Sequence, residues 1–226
     1  MTELSRDVPI TLGATALLFI DVQNFGGHPQ GGEYRDLAPD ERDRLHAYFF
    51  AQLRTVALPA MQAVQGACRE AGIEILYTVI QSLTKDGRDR SLDYKITGFH
   101  VPPGSWDALV LNEIAPGDDE IVLPKSSSSV FISTNIDYLL RCLGVRHLLL
   151  SGLLTDQCVE SAVRDACDLG YLVTLVTDAC ATHSAERHES SLGAIKGYCR
   201  QRTSGELAEE IRGLWTQGAT PRAKAS

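Results

Sequence analysis

The sequence predicts an α/β fold: a three-layer α/β/α arrangement with a mostly parallel central sheet and helices on both faces. Three observations carry this. Short apolar stretches alternate with stretches of helical periodicity along most of the chain, the spacing of strand–helix–strand units. The run His147-Leu-Leu-Leu-Ser is apolar without alternation, as a strand buried on both faces must be. The two longest connections, residues 24–39 and 81–103, each follow a predicted strand. They therefore belong at the carboxyl end of a parallel sheet, where ligands bind in such folds.

Taken in order, residues 14–21 form the first strand, rich in Leu, Phe and Ile. Residues 43–71 are a long helical stretch, with Pro59 breaking it or opening a second helix. Residues 73–80 are the second strand, and 121–123 the third, ended by Pro124. A helix over 134–143 takes Ser133 or Thr134 as its cap. Residues 147–151 form the fourth strand. The helix over 156–169 follows, with Val159, Ala162, Val163 and Ala166 at helical spacing, Thr155 or Asp156 as cap and Gly170 as stop. A fifth strand over 171–177 and helices over 185–196 and 204–214 complete the pattern. No repeat or linker interrupts it, so one domain over residues 1–226 is expected, with its core over about 12–214 and a frayed tail over 218–226.

Composition narrows the function classes. A formal net charge of −8 argues against a general nucleic-acid binder, which would show a basic face. No apolar stretch is long enough to span a bilayer and residues 1–10 carry no signal-peptide pattern, so a cytoplasmic location is expected. The six cysteines include no C-x-x-C pair, so neither a zinc ribbon nor a redox dithiol is indicated. Cys68, Cys142, Cys167 and Cys180 are expected to be small buried hydrophobes.

Cys158 is different. It falls in the first turn of the predicted 156–169 helix, just past the end of a strand. Free backbone N–H groups and the helix dipole there bias a thiol toward thiolate, the nucleophilic form. Two other ionisable residues hold equivalent places: Asp21 at the end of the first strand and Lys125 after the third. Carboxyl ends of neighbouring parallel strands converge on one crevice, so Asp21, Lys125 and Cys158 can meet there. A carboxylate can take the thiol proton and later deliver it to a leaving amine. An ammonium between them holds both groups ionised.

The segments that carry these residues are Phe19-Ile-Asp-Val-Gln, then Lys125-Ser-Ser-Ser-Ser-Val-Phe with Thr134 beyond, and Gly152-Leu-Leu-Thr-Asp-Gln-Cys-Val-Glu. In this order they resemble the isochorismatase-like cysteine hydrolases. That superfamily includes nicotinamidases, N-carbamoylsarcosine amidase, ureidoacrylate amidohydrolase, and biuret and triuret hydrolases. The resemblance spans residues 12–200 or so. It implies an Asp21–Lys125–Cys158 triad. It also implies a non-proline cis peptide before Leu154, and an oxyanion hole made of the backbone N–H groups of Leu154 and Cys158. Homodimers or homotetramers are usual in the family.

Departures from the family pattern matter as well. Nicotinamidases place metal-binding histidines after the first two strands, whereas the second strand here runs into Thr78-Val-Ile-Gln-Ser-Leu and the first loop holds only His28. No metal and no cofactor are therefore expected. Isochorismatase itself acts on a vinyl ether without a cysteine nucleophile, so Cys158 points to C–N cleavage. Asn24, Phe25, Gln81 and Gln201 are expected to contact substrate, and such groups suit a small planar molecule with several N–H and C=O edges. The expectation is a metal-independent cysteine amidohydrolase for a ureide or carbamoyl amide such as biuret, triuret or ureidoacrylate. The alternatives are an amidase for nicotinamide or maleamate, separable by ammonia release, and a non-catalytic binding protein, separable by the reactivity of Cys158.

Overall fold

The computed structural model describes residues 4–216. Six strands form one sheet: β1 (Thr15–Ile20), β2 (Glu74–Ile80), β3 (Ile121–Lys125), β4 (His147–Leu153), β5 (Leu172–Ala181) and β6 (Arg200–Arg202). Their order is β3-β2-β1-β4-β5-β6 and every pairing is parallel. The chain grows outward from β1 to one side, then returns to pair β4 on the other. The crevice at the carboxyl ends of β1 and β4 is thus a topological switch point, the place where such sheets bind ligands.

Side chains of the central strands alternate between two cores. Leu17 and Phe19 of β1, Ile75 and Tyr77 of β2 and Leu149 of β4 pack beneath α4 (Leu58–Glu70) and α10 (Ser204–Thr216), through Met61, Val64, Leu207 and Ile211. Ala16, Leu18 and Ile20, with Leu148 and Leu150, pack against α7 (Ile136–Cys142), α8 (Glu160–Asp168) and α9 (Ala185–Ile195), through Leu140, Ala162, Val163, Ala166 and Ile195. Helices cover both faces, which is why β1 and β4 are buried along their whole length and mostly apolar, with Thr15, His147 and Ser151 as the buried polar exceptions.

The element ends differ from expectation in instructive ways. Pro124 lies inside β3 instead of ending it. β3 is an edge strand of the sheet, where a missing N–H costs little. The long helical stretch divides into α2 (Pro39–Leu45), α3 (Ala47–Gln52), a π turn over Leu53–Ala57 and α4, with Pro59 in the first turn of α4. Two short helices lie within the loops: α1 (Asn24–Gly27) and α5 (Leu92–Ile96). A third, α6 (Val130–Ser133), precedes α7 and is capped by Ser129, while the Thr134 hydroxyl accepts from the Ile136 N–H. Cys142 is exposed at the end of α7 and Cys167 half-buried, whereas Cys68, Cys180 and Cys199 are buried. The predicted tail over 218–226 lies outside the described residues. Among the described residues, no helix is long and apolar enough to cross a membrane.

Candidate active site

β1 ends at Ile20 and the chain turns at once. Asp21 adopts a left-handed backbone (φ 55°), a conformation that aspartate tolerates better than most residues. Its N–H donates to the Thr78 carbonyl at 3.1 Å, and the Thr78 hydroxyl donates to Asp21 Oδ1 at 2.9 Å. The end of β2 therefore fixes the carboxylate at the end of β1. The other carboxylate oxygen, Oδ2, faces the Lys125 ammonium at 2.8 Å as an ion pair and accepts no well-formed hydrogen bond.

Lys125 is the last residue of β3, and its side chain is wholly buried. Besides the ion pair, Nζ donates to the Tyr94 hydroxyl at 3.0 Å, the Ser127 carbonyl at 2.8 Å and Cys158 Sγ at 3.5 Å. Tyr94 comes from α5, and its hydroxyl lies 3.9 Å from the same sulfur. The three residues foreseen as a triad are thus brought together around one ammonium.

Cys158 reaches this point from β4. At Gly152 (φ 137°) a Cβ would sit 2.2 Å from the Ile20 carbonyl oxygen, so only glycine lets β4 run this close to β1. The Leu153–Leu154 peptide is cis. A π turn over Thr155–Val159 follows, then α8. The expected ordinary helix start is therefore replaced by a wider turn, and neither Thr155 nor Asp156 caps it. The Asp156 carboxylate instead accepts from the Thr182 hydroxyl at 2.5 Å and Arg187 Nε at 2.6 Å, tying the turn to β5 and α9.

Electrostatics corrects the sequence expectation of a ready thiolate. Cys158 is 7% exposed, and burial pushes its thiol up to about 11. Lys125 opposes this and the Asp21 carboxylate adds to it. Burial thus favours the protonated sulfur, and a neighbouring base is needed to free it. Burial works against the Lys125 ammonium, but the Asp21 carboxylate beside it holds its pKa above the ordinary lysine range. Burial raises the Tyr94 phenol as well.

A cavity of about 400 Å³ opens over this cluster, with Asp21, Leu153, Leu154 and Cys158 in its lining. Phe25 lines it as expected, packed edge-on against Phe99 with centroids 5.2 Å apart. The other three foreseen contacts do not line it. Asn24 donates its amide to the Trp106 carbonyl at 3.0 Å, because it holds α1 to the following loop. Gln81 continues β2 with its N–H on the Lys125 carbonyl at 3.0 Å. Gln201 sits on β6, its amide on the Leu192 carbonyl at 2.7 Å. His28 stacks edge-on against Trp106 at 5.0 Å and its Nδ1 accepts from the Gln30 N–H. Among the described residues no group of three or more His, Cys, Asp or Glu side chains is placed to hold a metal ion.

Several residues lining the cavity carry no signal in the sequence, Tyr94 and Glu33 foremost among them. Gln23 was quoted in a motif without a role. It is buried, and its side-chain amide donates to the Ile80 and Asp107 carbonyls at 3.0 and 2.9 Å, fastening the first loop to the end of β2.

A profile of the isochorismatase domain matches residues 15–206. The chain belongs to the isochorismatase family. As a member it is similar to the ureidoacrylate amidohydrolase RutB of Pantoea ananatis (strain LMG 20103), 30% identical over 197 residues that cover 80% of this chain and 74% of that one. RutB of Agrobacterium fabrum (strain C58 / ATCC 33970) is 29% identical over 197 residues, covering 79% and 82%. Among solved structures, a cysteine hydrolase from Pseudomonas syringae pv. phaseolicola 1448A superposes with a TM-score of 0.74 at 21% identity, covering 94% of this chain and 99% of that one. The N-carbamoylsarcosine amidase of Thermoplasma acidophilum superposes with a TM-score of 0.62 at 24% identity, covering 84% and 96%. These likenesses establish the isochorismatase-like α/β fold, and the chain is a hydrolase of that family.

Proposed function

We propose that this isochorismatase-family hydrolase is a cysteine amidohydrolase that cleaves the C–N bond of a small ureide or carbamoyl amide. The observation that carries the reading is the buried Lys125 ammonium held 2.8 Å from Asp21 Oδ2 and 3.5 Å from Cys158 Sγ, beneath a cavity that Asp21 and Cys158 line. Asp21 takes the thiol proton while Sγ attacks the carbonyl carbon of the substrate. Lys125 stabilises the thiolate as it forms, since an opposite charge at this distance favours the ionised sulfur. The oxyanion points at the backbone N–H groups of Leu154 and Cys158, which both line the cavity. Asp21 returns the proton to the leaving nitrogen, ammonia or an amine departs, and a thioester to Cys158 remains. Asp21 then deprotonates a water molecule, which attacks the thioester and frees the sulfur. The RutB relatives, amidohydrolases by name, support the amide as the scissile group.

The test is ammonia release from a panel of biuret, triuret, ureidoacrylate, nicotinamide and maleamate, with Cys158→Ser as control. The expected result is turnover of at least one ureide, an acyl adduct on the Cys158 peptide under single-turnover conditions, and neither with the serine variant. Turnover retained by Cys158→Ser would sink the mechanism. Turnover of nicotinamide or maleamate alone would sink the substrate class.

A further inference from the structure

The charge of the cavity selects among ureides and amides. Its described lining contains Asp21, Glu33 and Asp93 but no lysine, arginine or histidine. The nearest cation, Lys125, is wholly buried and committed to Asp21, Tyr94, Ser127 and the sulfur. Asp21 and Lys125 cancel, which leaves Glu33 inside and Asp93, exposed in the first turn of α5, at the mouth.

Glu33 is the telling residue. Among the described residues its carboxyl makes no hydrogen bond and no ion pair, although it is partly buried. It lies against the backbone of Gly26, another lining residue, where a Cβ would come within 2.5 Å of Oε2. Glycine at 26 therefore makes the room that Glu33 occupies. Arg35, two positions on, turns away, with its Nε on the Gly32 carbonyl at 2.9 Å and a guanidinium nitrogen 3.8 Å from Asp107. Burial with no cation beside it pushes the Glu33 carboxyl up to about 7. A half-buried carboxylate with no protein donor is satisfied only by water from the cavity, and a ligand that brings an N–H donor takes that water's place. Phe25, Tyr94 and Phe99 add aromatic faces to the wall, surfaces that attract N–H-rich or cationic groups and offer nothing to an anion.

We infer that the substrate carries an N–H donor, either a terminal ureido or amide NH2 or an ammonium, at the end remote from the scissile carbonyl, and no carboxylate, with Glu33 accepting from that donor. This rests on the cavity being the acyl site of the proposed amidohydrolase. It separates this chain from a ureidoacrylate hydrolase, whose substrate has a carboxylate at the remote end.

The experiment uses four ureas of similar length at pH 8, where Glu33 is ionised: biuret, (2-aminoethyl)urea, propylurea and N-carbamoylglycine. Two readouts are taken: ammonia release, and protection of Cys158 from iodoacetamide, which reports occupancy whether or not an amide is cleaved. Biuret or the cationic urea is expected to act at least tenfold better than N-carbamoylglycine in kcat/KM or in half-protecting concentration. Propylurea, lacking the remote donor, should fall between. Which of the first two leads tells a neutral donor from a cationic one. Glu33→Gln should narrow the gap at least fivefold, and Asp93→Asn, at an exposed position, should narrow it less. Equal action by N-carbamoylglycine, or a ratio unchanged in both variants while the protein still unfolds cooperatively, would overturn the inference. Charge-ordered protection without any turnover would uphold it and count against the amidohydrolase reading instead.

Discussion

Replacing Lys125 by Met tests the centre of the site. Methionine retains much of the lysine stem, so packing against the stem survives and the ammonium is what is lost. The side chains of Lys125 and Asp21 are 0% and 4% exposed, with Nζ and Oδ2 2.8 Å apart. The carboxylate would keep only the Thr78 hydroxyl and the little water that reaches it from the cavity. Breaking one side of a buried pair costs about 3–5 kcal/mol, a large part of the roughly 5–15 kcal/mol that holds a domain together. Removing both charges in Asp21→Asn/Lys125→Met abolishes the uncompensated charge, so the double variant should regain more than half the loss. Urea unfolding at pH 7 of wild type, both single variants and the double variant measures the coupling. The ammonium also favours the ionised sulfur, so the Cys158 thiol should rise beyond its value of about 11 and alkylation at fixed pH should slow by about tenfold or more. A Lys125→Met protein as stable as wild type, or a double variant whose loss is the sum of the two single losses, would refute the argument.

Alkylation of the Cys158 peptide in the unliganded protein should climb about tenfold per pH unit between pH 7 and 10, because the thiol is protonated below about 11. A plateau below pH 8 would mean a preformed thiolate and no need for Asp21 as base. Tyr94→Phe removes the hydroxyl that accepts from Lys125 at 3.0 Å. It should cost about 1.5–3 kcal/mol in stability, as for a hydrogen bond to a charged group, and lower kcat; unchanged kcat would make Tyr94 a mere wall. Gly152→Ala puts a Cβ 2.2 Å from the Ile20 carbonyl oxygen at φ 137° and should cost about 3 kcal/mol or more by urea unfolding. An alanine variant within 1 kcal/mol or so of wild type would show that β1 and β4 can part at this point. Ammonia release should survive exhaustive EDTA treatment, since no metal-ligand cluster exists among the described residues; loss restored by zinc or iron would contradict this.

Legibility followed burial. β1 and β4 sit mid-sheet between two helical layers, so their residues are mostly apolar and their positions could be seen directly. Their ends, and the end of β3, then located Asp21, Cys158 and Lys125. β6 was invisible because it is a polar strand: Arg200 is buried only by pairing with Glu210 at 3.0 Å and with the Thr174 hydroxyl at 3.0 Å, partners that no local pattern announces. Tyr94 and Glu33 lie in the two long loops, whose paths are set by contacts such as those of Gln23 and Asn24 and not by any period. The same contacts explain the misplaced substrate residues. An amide side chain near the site was foreseen as a ligand contact, but Asn24 and Gln201 are spent on backbone carbonyls. The π turn was equally hidden, since its composition suits an ordinary helix start.

In the proposed mechanism the nucleophile and the base ride on the two innermost strands, but the cation between them is delivered by an edge strand, β3. Outer strands open at lower free energy than the body of a sheet. Fraying of β3 would withdraw the ammonium while β1 and β4 stay paired, switching off the proposed chemistry without unfolding the protein. On that reading, mild heat or low denaturant should erase turnover ahead of any change in helix content. The relation runs both ways. A ligand that strengthens the cluster of Asp21, Lys125 and Cys158 stitches the rim to the centre, and should slow hydrogen exchange along β3, a strand it need not touch.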